Sequence, residues 1–140
     1  MKIKIFTVGK IKEKDFLDYE GEIKKRISPF TQIIDESLEK TEEIFNKVKK
    51  DEKLIVLDVT GKELTSFEFS KLLDFPKINF LIGPHDGFPS QFLKETKNIA
   101  EIINSNLNEI LESVDTSKLK ELQYIDIVSN IFNIYMDKYG

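Results

Sequence analysis

The stretch Ile78-Asn79-Phe80-Leu81-Ile82-Gly83-Pro84-His85-Asp86-Gly87-Phe88-Pro89 constrains this chain more than any other. A brief, mostly apolar run, rich in β-branched and aromatic residues and bounded by turn formers, predicts a buried strand over 78–82. Gly83 and Gly87 then let the backbone turn with φ > 0 or come close to a ligand. In open α/β sheets, ligands collect at the carboxyl ends of strands. A small molecule is therefore expected at this loop. The same glycine spacing also suits an ordinary strand-to-helix turn, and spacing alone does not separate the two.

Comparable units lie on both sides of that stretch. Ile3, Ile5 and Thr7 alternate against Lys2, Lys4, Phe6 and Val8, a strand that ends at Gly9. A helix is predicted over 15–28, with Phe16, Leu17, Tyr19, Ile23 and Ile27 at helical spacing and Pro29 as the stop. A short strand over 31–34 and an amphipathic helix over 41–50, carrying Ile44, Phe45 and Val48, come next. Leu54-Ile55-Val56-Leu57 reads as a central buried strand closed by Asp58-Val59-Thr60-Gly61-Lys62. Thr65-Ser66-Phe67-Glu68 resembles a capping box, opening a helix to about residue 73. A helix over 88–97 is expected to turn Phe92 and Leu93 inward, and a fifth strand is expected over 99–103. Asn104, Asn106 and Asn108 suggest a loop, and a last helix over 116–136 lines up Leu119, Leu122, Ile125, Val128, Phe132 and Tyr135. Strands alternating with helices imply an α/β fold, a mostly parallel sheet covered on both faces.

The 140 residues fit a single domain spanning 1–140 with a real core. Without cysteine there is neither a disulfide nor a thiolate metal site, and His85, the sole histidine, excludes a histidine-rich one, so no metal is expected. No apolar run is long enough to span a membrane, and Met1-Lys2-Ile3-Lys4-Ile5 reads as a charged strand rather than a signal peptide. A cytoplasmic protein is the expectation. Residues 101–140 hold seven acids and three bases, whereas the first hundred residues balance, so the whole net charge of −4 lies in the C-terminal part. An acidic end does not favour phosphate contact. Arg26 is the sole arginine, which limits bidentate anion recognition to one place per chain. The neighbouring Lys24 and Lys25 could touch RNA phosphates, but a solvated helix face beside Glu20 and Glu22 explains them more simply.

Four separated segments agree with one family: residues 2–10, residues 22–30, Leu57-Asp58-Val59-Thr60-Gly61-Lys62-Glu63-Leu64-Thr65-Ser66, and Phe80-Leu81-Ile82-Gly83-Pro84-His85-Asp86-Gly87-Phe88. The chain resembles the ribosomal RNA large subunit methyltransferase H family, small enzymes of the SPOUT class, over roughly its first 95 residues. The resemblance implies a SPOUT-like domain with a C-terminal trefoil knot, a homodimer, and S-adenosylmethionine as cofactor. It also implies methyl transfer to N3 of a pseudouridine in large-subunit rRNA, with the large ribosomal subunit as partner. Position by position, Leu57 matches the leucine beside the cofactor. Gly83 and Gly87 match the outer glycines of the family's G-G-x-x-G loop, and Pro84 stands at its second glycine. Leu57, Gly83, Pro84 and Gly87 are thus the expected cofactor-binding residues.

The last third departs from the family. Its Pro-His pair and following arginine have no counterpart; the region reads Asp115-Thr116-Ser117-Lys118-Leu119-Lys120-Glu121. In the final helix Asp126, Ser129 and Asn130 fall on the family's Glu, Tyr and Arg. His85 and Asp86 are candidates for the base that removes the N3 proton, with ordinary loop roles as the simpler account. The apolar face of the last helix is expected to contribute to a dimer contact. Two functions follow: an active methyltransferase with reworked RNA-facing residues, or a non-catalytic dimeric relative that binds or scaffolds. A dinucleotide-binding oxidoreductase is set aside, because the loop lacks G-x-G-x-x-G.

Overall fold

The computed structural model describes residues 2–9, 14–84, 87–104 and 119–139. In chain order the elements are β1 (Lys2–Val8), α1 (Lys14–Ile27), β2 (Gln32–Leu38), a 3₁₀ turn (Thr41–Glu43) running into the one-turn helix α2 (Ile44–Lys47), β3 (Lys53–Glu63), α3 (Ser66–Leu72), β4 (Lys77–Ile82), α4 (Ser90–Thr96), β5 (Glu101–Asn104) and α5 (Leu119–Tyr139). Among the described residues five strands form one parallel sheet in the order β2-β1-β4-β3-β5. The α/β, mostly parallel architecture expected from the alternation of elements is what forms.

The period of two decides which side chains go to which face. From β1, β3 and β4, Ile3, Ile5, Ile55, Leu57, Ile78, Phe80 and Ile82 join one buried cluster. It is closed by Ile23 and Ile27 of α1, by Phe69 and Leu72 of α3, and by Tyr124, Ile127, Val128, Ile131 and Tyr135 of α5. The alternate residues Phe6, Val8, Leu54, Val56 and Leu81 form a second cluster with Leu38 of β2, Ile44 of α2 and Phe92 of α4. Both faces of the sheet are therefore dry. Each of these side chains contributes about 1.5–3 kcal/mol by leaving water.

Several elements differ from their sequence-based outlines, each for a local reason. β2 runs on to Leu38, because seven consecutive residues register against β1 from Lys2 with Gln32 to Val8 with Leu38. Its polar residues Asp35 to Ser37 are tolerable on an edge strand, where one side is solvated. The helix expected over 41–50 is only one turn long. Val48 is extended at φ −106° and ψ 127°, and a turn follows in which the Glu52 N–H donates to the Lys49 carbonyl at 3.1 Å. β3 does not close at Leu57 but continues to Glu63, with an irregularity against β5 between Leu57 and Lys62. Gly61 makes the continuation possible, since a Cβ there would lie 2.6 Å from the Ile103 carbonyl carbon. β5 starts at Glu101 and takes in Asn104, while Ile99 stays outside it and is 61% exposed.

The capping box is present as expected. Glu68 N–H donates to Thr65 Oγ1 at 3.1 Å, and Thr65 N–H donates to Glu68 Oε1 at 3.2 Å. That backbone donor holds the Glu68 pKa below the usual carboxylate value. In α5 the buried line is Tyr124, Ile127, Val128, Ile131 and Tyr135; Ile125 and Phe132 are only half-buried. Much of the apolar face expected to meet a second copy is thus consumed by the chain's own core. Tyr124 Oη donates to Asp35 Oδ1 at 3.0 Å, and Lys24 pairs with the same carboxylate, tying α5 and α1 to the edge strand. Arg26 is engaged as well, on an exposed i,i+4 pair with Glu22 at 3.1 Å. No described helix is long and apolar enough to cross a membrane.

Candidate functional site

β3 and β4 are neighbours in the centre of the sheet, with Leu57 directly opposite Ile82. One residue further, the two chains diverge into Asp58 and Gly83. A small cavity opens there, lined by Leu57, Asp58, Gly83, Pro84, Gly87, Phe88 and Gln123. All four expected cofactor residues, Leu57, Gly83, Pro84 and Gly87, are therefore brought together at the carboxyl end of β4, where β3 parts from it. This is the position at which open parallel sheets place their ligands.

The two glycines have different physical duties. Gly87 takes φ +80°, a conformation that a side chain strains, and its N–H donates to the Pro84 carbonyl at 2.9 Å, folding the loop back on itself. Gly83 has an ordinary φ and is a matter of room. A Cβ on it would lie 2.8 Å from the Phe88 ring. Phe88 in turn stacks on Phe92 with ring centroids 5.1 Å apart, and Phe92 meets Phe45 at 5.6 Å. A ladder of three rings thus runs from this cleft along one face of the sheet.

Asp58, Phe88 and Gln123 were not among the expected site residues. Asp58 is buried, and its Oδ2 accepts from the Thr60 N–H at 3.0 Å and from the Thr60 hydroxyl, a local contact within β3 that fixes the carboxylate. Gln123 is buried in the first half of α5, a polar residue just before the buried line that begins at Tyr124. A buried glutamine beside an otherwise apolar helix face is the signal that would have found it. Asp126 is one turn further on. It is half-buried, its Oδ2 is enclosed without a hydrogen-bond partner among the described residues, and desolvation raises its pKa above the usual value. His85 and Asp86, the candidate bases, lie outside the described residues, as does the segment 105–118.

The donor set suits S-adenosylmethionine. Leu57 and Phe88 offer apolar walls to a purine, strand-end backbone groups can pair with its edge, and the Asp58 carboxylate and Gln123 amide suit hydroxyls and amines. Room is tighter: the described walls enclose about 40 Å³, against roughly 300 Å³ for a small-molecule site.

Comparison with known proteins gives the family. Residues 1–105 match a family model described as predicted SPOUT methyltransferase. Ribosomal RNA large subunit methyltransferase H of Caldicellulosiruptor bescii is 36% identical over 124 residues, covering 74% of this chain and 78% of that protein. The protein of the same name from Acholeplasma laidlawii is 36% identical over 113 residues, covering 71% and 76%. A solved Bacillus anthracis protein assigned as an RNA methyltransferase superposes with a TM-score of 0.50 at 13% identity, covering 93% of this chain and 94% of its own, a likeness of fold. With three quarters of its length matched by the family model and its glycine loop seated at the strand ends, the chain belongs to the SPOUT methyltransferase family.

Proposed function

We propose that the chain is an S-adenosylmethionine-dependent rRNA methyltransferase that modifies N3 of a pseudouridine in the large ribosomal subunit. The single observation that carries this is the convergence of Leu57, Gly83, Pro84 and Gly87 on one cleft at the end of β4, in a chain about 36% identical to proteins named ribosomal RNA large subunit methyltransferase H. A cytoplasmic homodimer with a C-terminal trefoil knot belongs to the same proposal.

The work asked of the protein is mostly placement. S-adenosylmethionine, when bound, supplies a methyl group on a positively charged sulfur. Gly87, with open space where its Cβ would be, would let the backbone approach it without a side chain in the way, while the space beside Gly83 is taken by the Phe88 ring. Leu57 and Phe88 would keep water out, and Asp58, already fixed by Thr60, would hold a polar group without reorganising. The nucleophile must then lie in line with the methyl group and lose its N3 proton. Pro84 has no N–H, so any backbone donation in this loop comes from other positions.

Incubation of unmodified large subunits with the protein and methyl-labelled S-adenosylmethionine, followed by nucleoside mass spectrometry, tests this. The expected product is one methylpseudouridine per subunit. Cofactor binding without transfer to RNA would favour the non-catalytic relative, the reading that Pro84 and the acidic last forty residues support.

A further inference from the structure

A second cavity, of about 480 Å³, lies at the opposite end of the sheet and is lined by Ile44, Phe45, Val48, Lys49, Lys50, Glu52, Leu54 and Ile99. Its size is within the range of small-molecule sites. It exists because α2 is a single turn. The chain leaves that helix at Val48, turns over 49–52 and enters β3, while the turn ahead of β5 brings Ile99 to the opposite wall. Ile99 and Phe45 are 61% and 39% exposed, large apolar side chains left in water beside a concave surface.

The polar groups of this cavity are asymmetric. Glu52 is held in place: its Oε1 accepts from the Lys49 N–H at 3.2 Å and its Oε2 from the buried Asn79 amide at 3.3 Å. Other lysines nearby are spent, Lys47 on Glu36 at 3.4 Å and Lys53 on Glu101 at 2.8 Å. Lys49 and Lys50 are exposed and form no ion pair among the described residues. The cavity thus joins an apolar interior to two uncommitted cations.

We propose that this cavity binds a small amphipathic anion, an apolar body buried against Ile44, Val48 and Leu54 with a carboxylate or phosphate held by Lys49 and Lys50. The site is separate from the carboxyl-end cleft and does not depend on methyl transfer.

Decanoate, titrated by calorimetry into the full chain, is the probe, with decanol as its neutral counterpart. One saturable site per chain is expected, weakened about tenfold in Lys49→Glu/Lys50→Glu, since a charge-assisted contact is lost. Decanol should bind more weakly than decanoate to the wild type and equally to the wild type and the charge-reversed chain. Val48→Trp, which fills the cavity, should abolish binding. Because that variant could misfold, Ile99→Asp, at an exposed position, is a second block and should reduce decanoate binding in a chain with unchanged circular dichroism. Failure of decanoate to bind, or binding untouched by both blocking variants, would overturn the proposal. Equal affinity for decanol and decanoate, insensitive to charge reversal, would overturn its anionic part. A dimer split by Ile99→Asp, in a chain that ignores decanoate, would assign the cavity to a second copy instead.

Discussion

The two ends of the parallel sheet are built in opposite ways. At the carboxyl end, closeness comes from glycine: Gly83 admits the Phe88 ring, Gly87 turns with φ +80°, and Gly61 lets β3 lie against β5. At the amino end, a cavity about twelve times larger is walled by side chains of the 44–54 stretch and by Ile99. Backbone proximity is written in local sequence, because only glycine allows it. A side-chain cavity carries no such mark: Ile44 and Leu54 read as ordinary core, and Lys49, Lys50 and Glu52 as ordinary surface charge. The Phe88, Phe92 and Phe45 rings connect the two ends on one face.

Removing the middle ring should break the comparison most severely. Phe92 is buried and touches both neighbours, so Phe92→Ala should lower stability by about 3–4 kcal/mol in urea unfolding. It should loosen both ends, seen as weaker binding of both S-adenosylmethionine and decanoate. A loss confined to one end would mean the rings do not act together.

Next in size is Gly61→Ala, which strikes the carboxyl end alone. Its Cβ would meet the backbone of Ile102 and Ile103 within 2.8 Å, and strands cannot yield as a side chain can. A cost of about 2 kcal/mol is expected, with faster amide exchange on β5 and no change at Lys49 or Lys50. A neutral outcome would mean that the β3 irregularity absorbs the extra atom.

Thr65→Ala serves as a calibration at a residue that lines neither cavity. It removes the cap of α3 and should cost about 1 kcal/mol. Ligand binding at either end should stay as it was, so a change there would show that helix stability reaches the sites.

The smallest effect concerns Asp126, one turn beyond Gln123. Its pKa is raised in the folded chain above the ordinary 3.8 by desolvation. The folded state therefore keeps this proton to higher pH than the unfolded chain does. Stability from this group is greatest below the ordinary value and falls as pH rises through the folded one. Asp126→Asn should be slightly more stable than the wild type at pH 7, with the difference vanishing towards pH 4. A variant less stable at neutral pH would mean that the carboxylate is paired.

Most of the fold was legible because its signals are local. The alternation in β1, the apolar run before Gly83 and the Thr65 capping box each involve fewer than a dozen neighbouring residues, and each forms as expected. What escaped depends on partners far away in sequence. β3 continues past Leu57 only because β5 is there to pair with Lys62 and Glu63. The polar half of β2 is a strand because β1 supplies its hydrogen bonds. In the site, Leu57, Gly83, Pro84 and Gly87 were readable through a family pattern. Asp58 and Phe88 stand beside Leu57 and Gly87 in those same segments, whereas Gln123 joins them only through the return of α5, which no local pattern encodes.

The most direct test of the carboxyl-end assignment is calorimetric titration of the chain with S-adenosylmethionine, wild type beside Gly83→Trp. Saturable binding at one site per chain, lost in a variant whose circular dichroism is unchanged, is the predicted result. No binding to the folded wild type at millimolar S-adenosylmethionine, or equal binding to both chains, would contradict it.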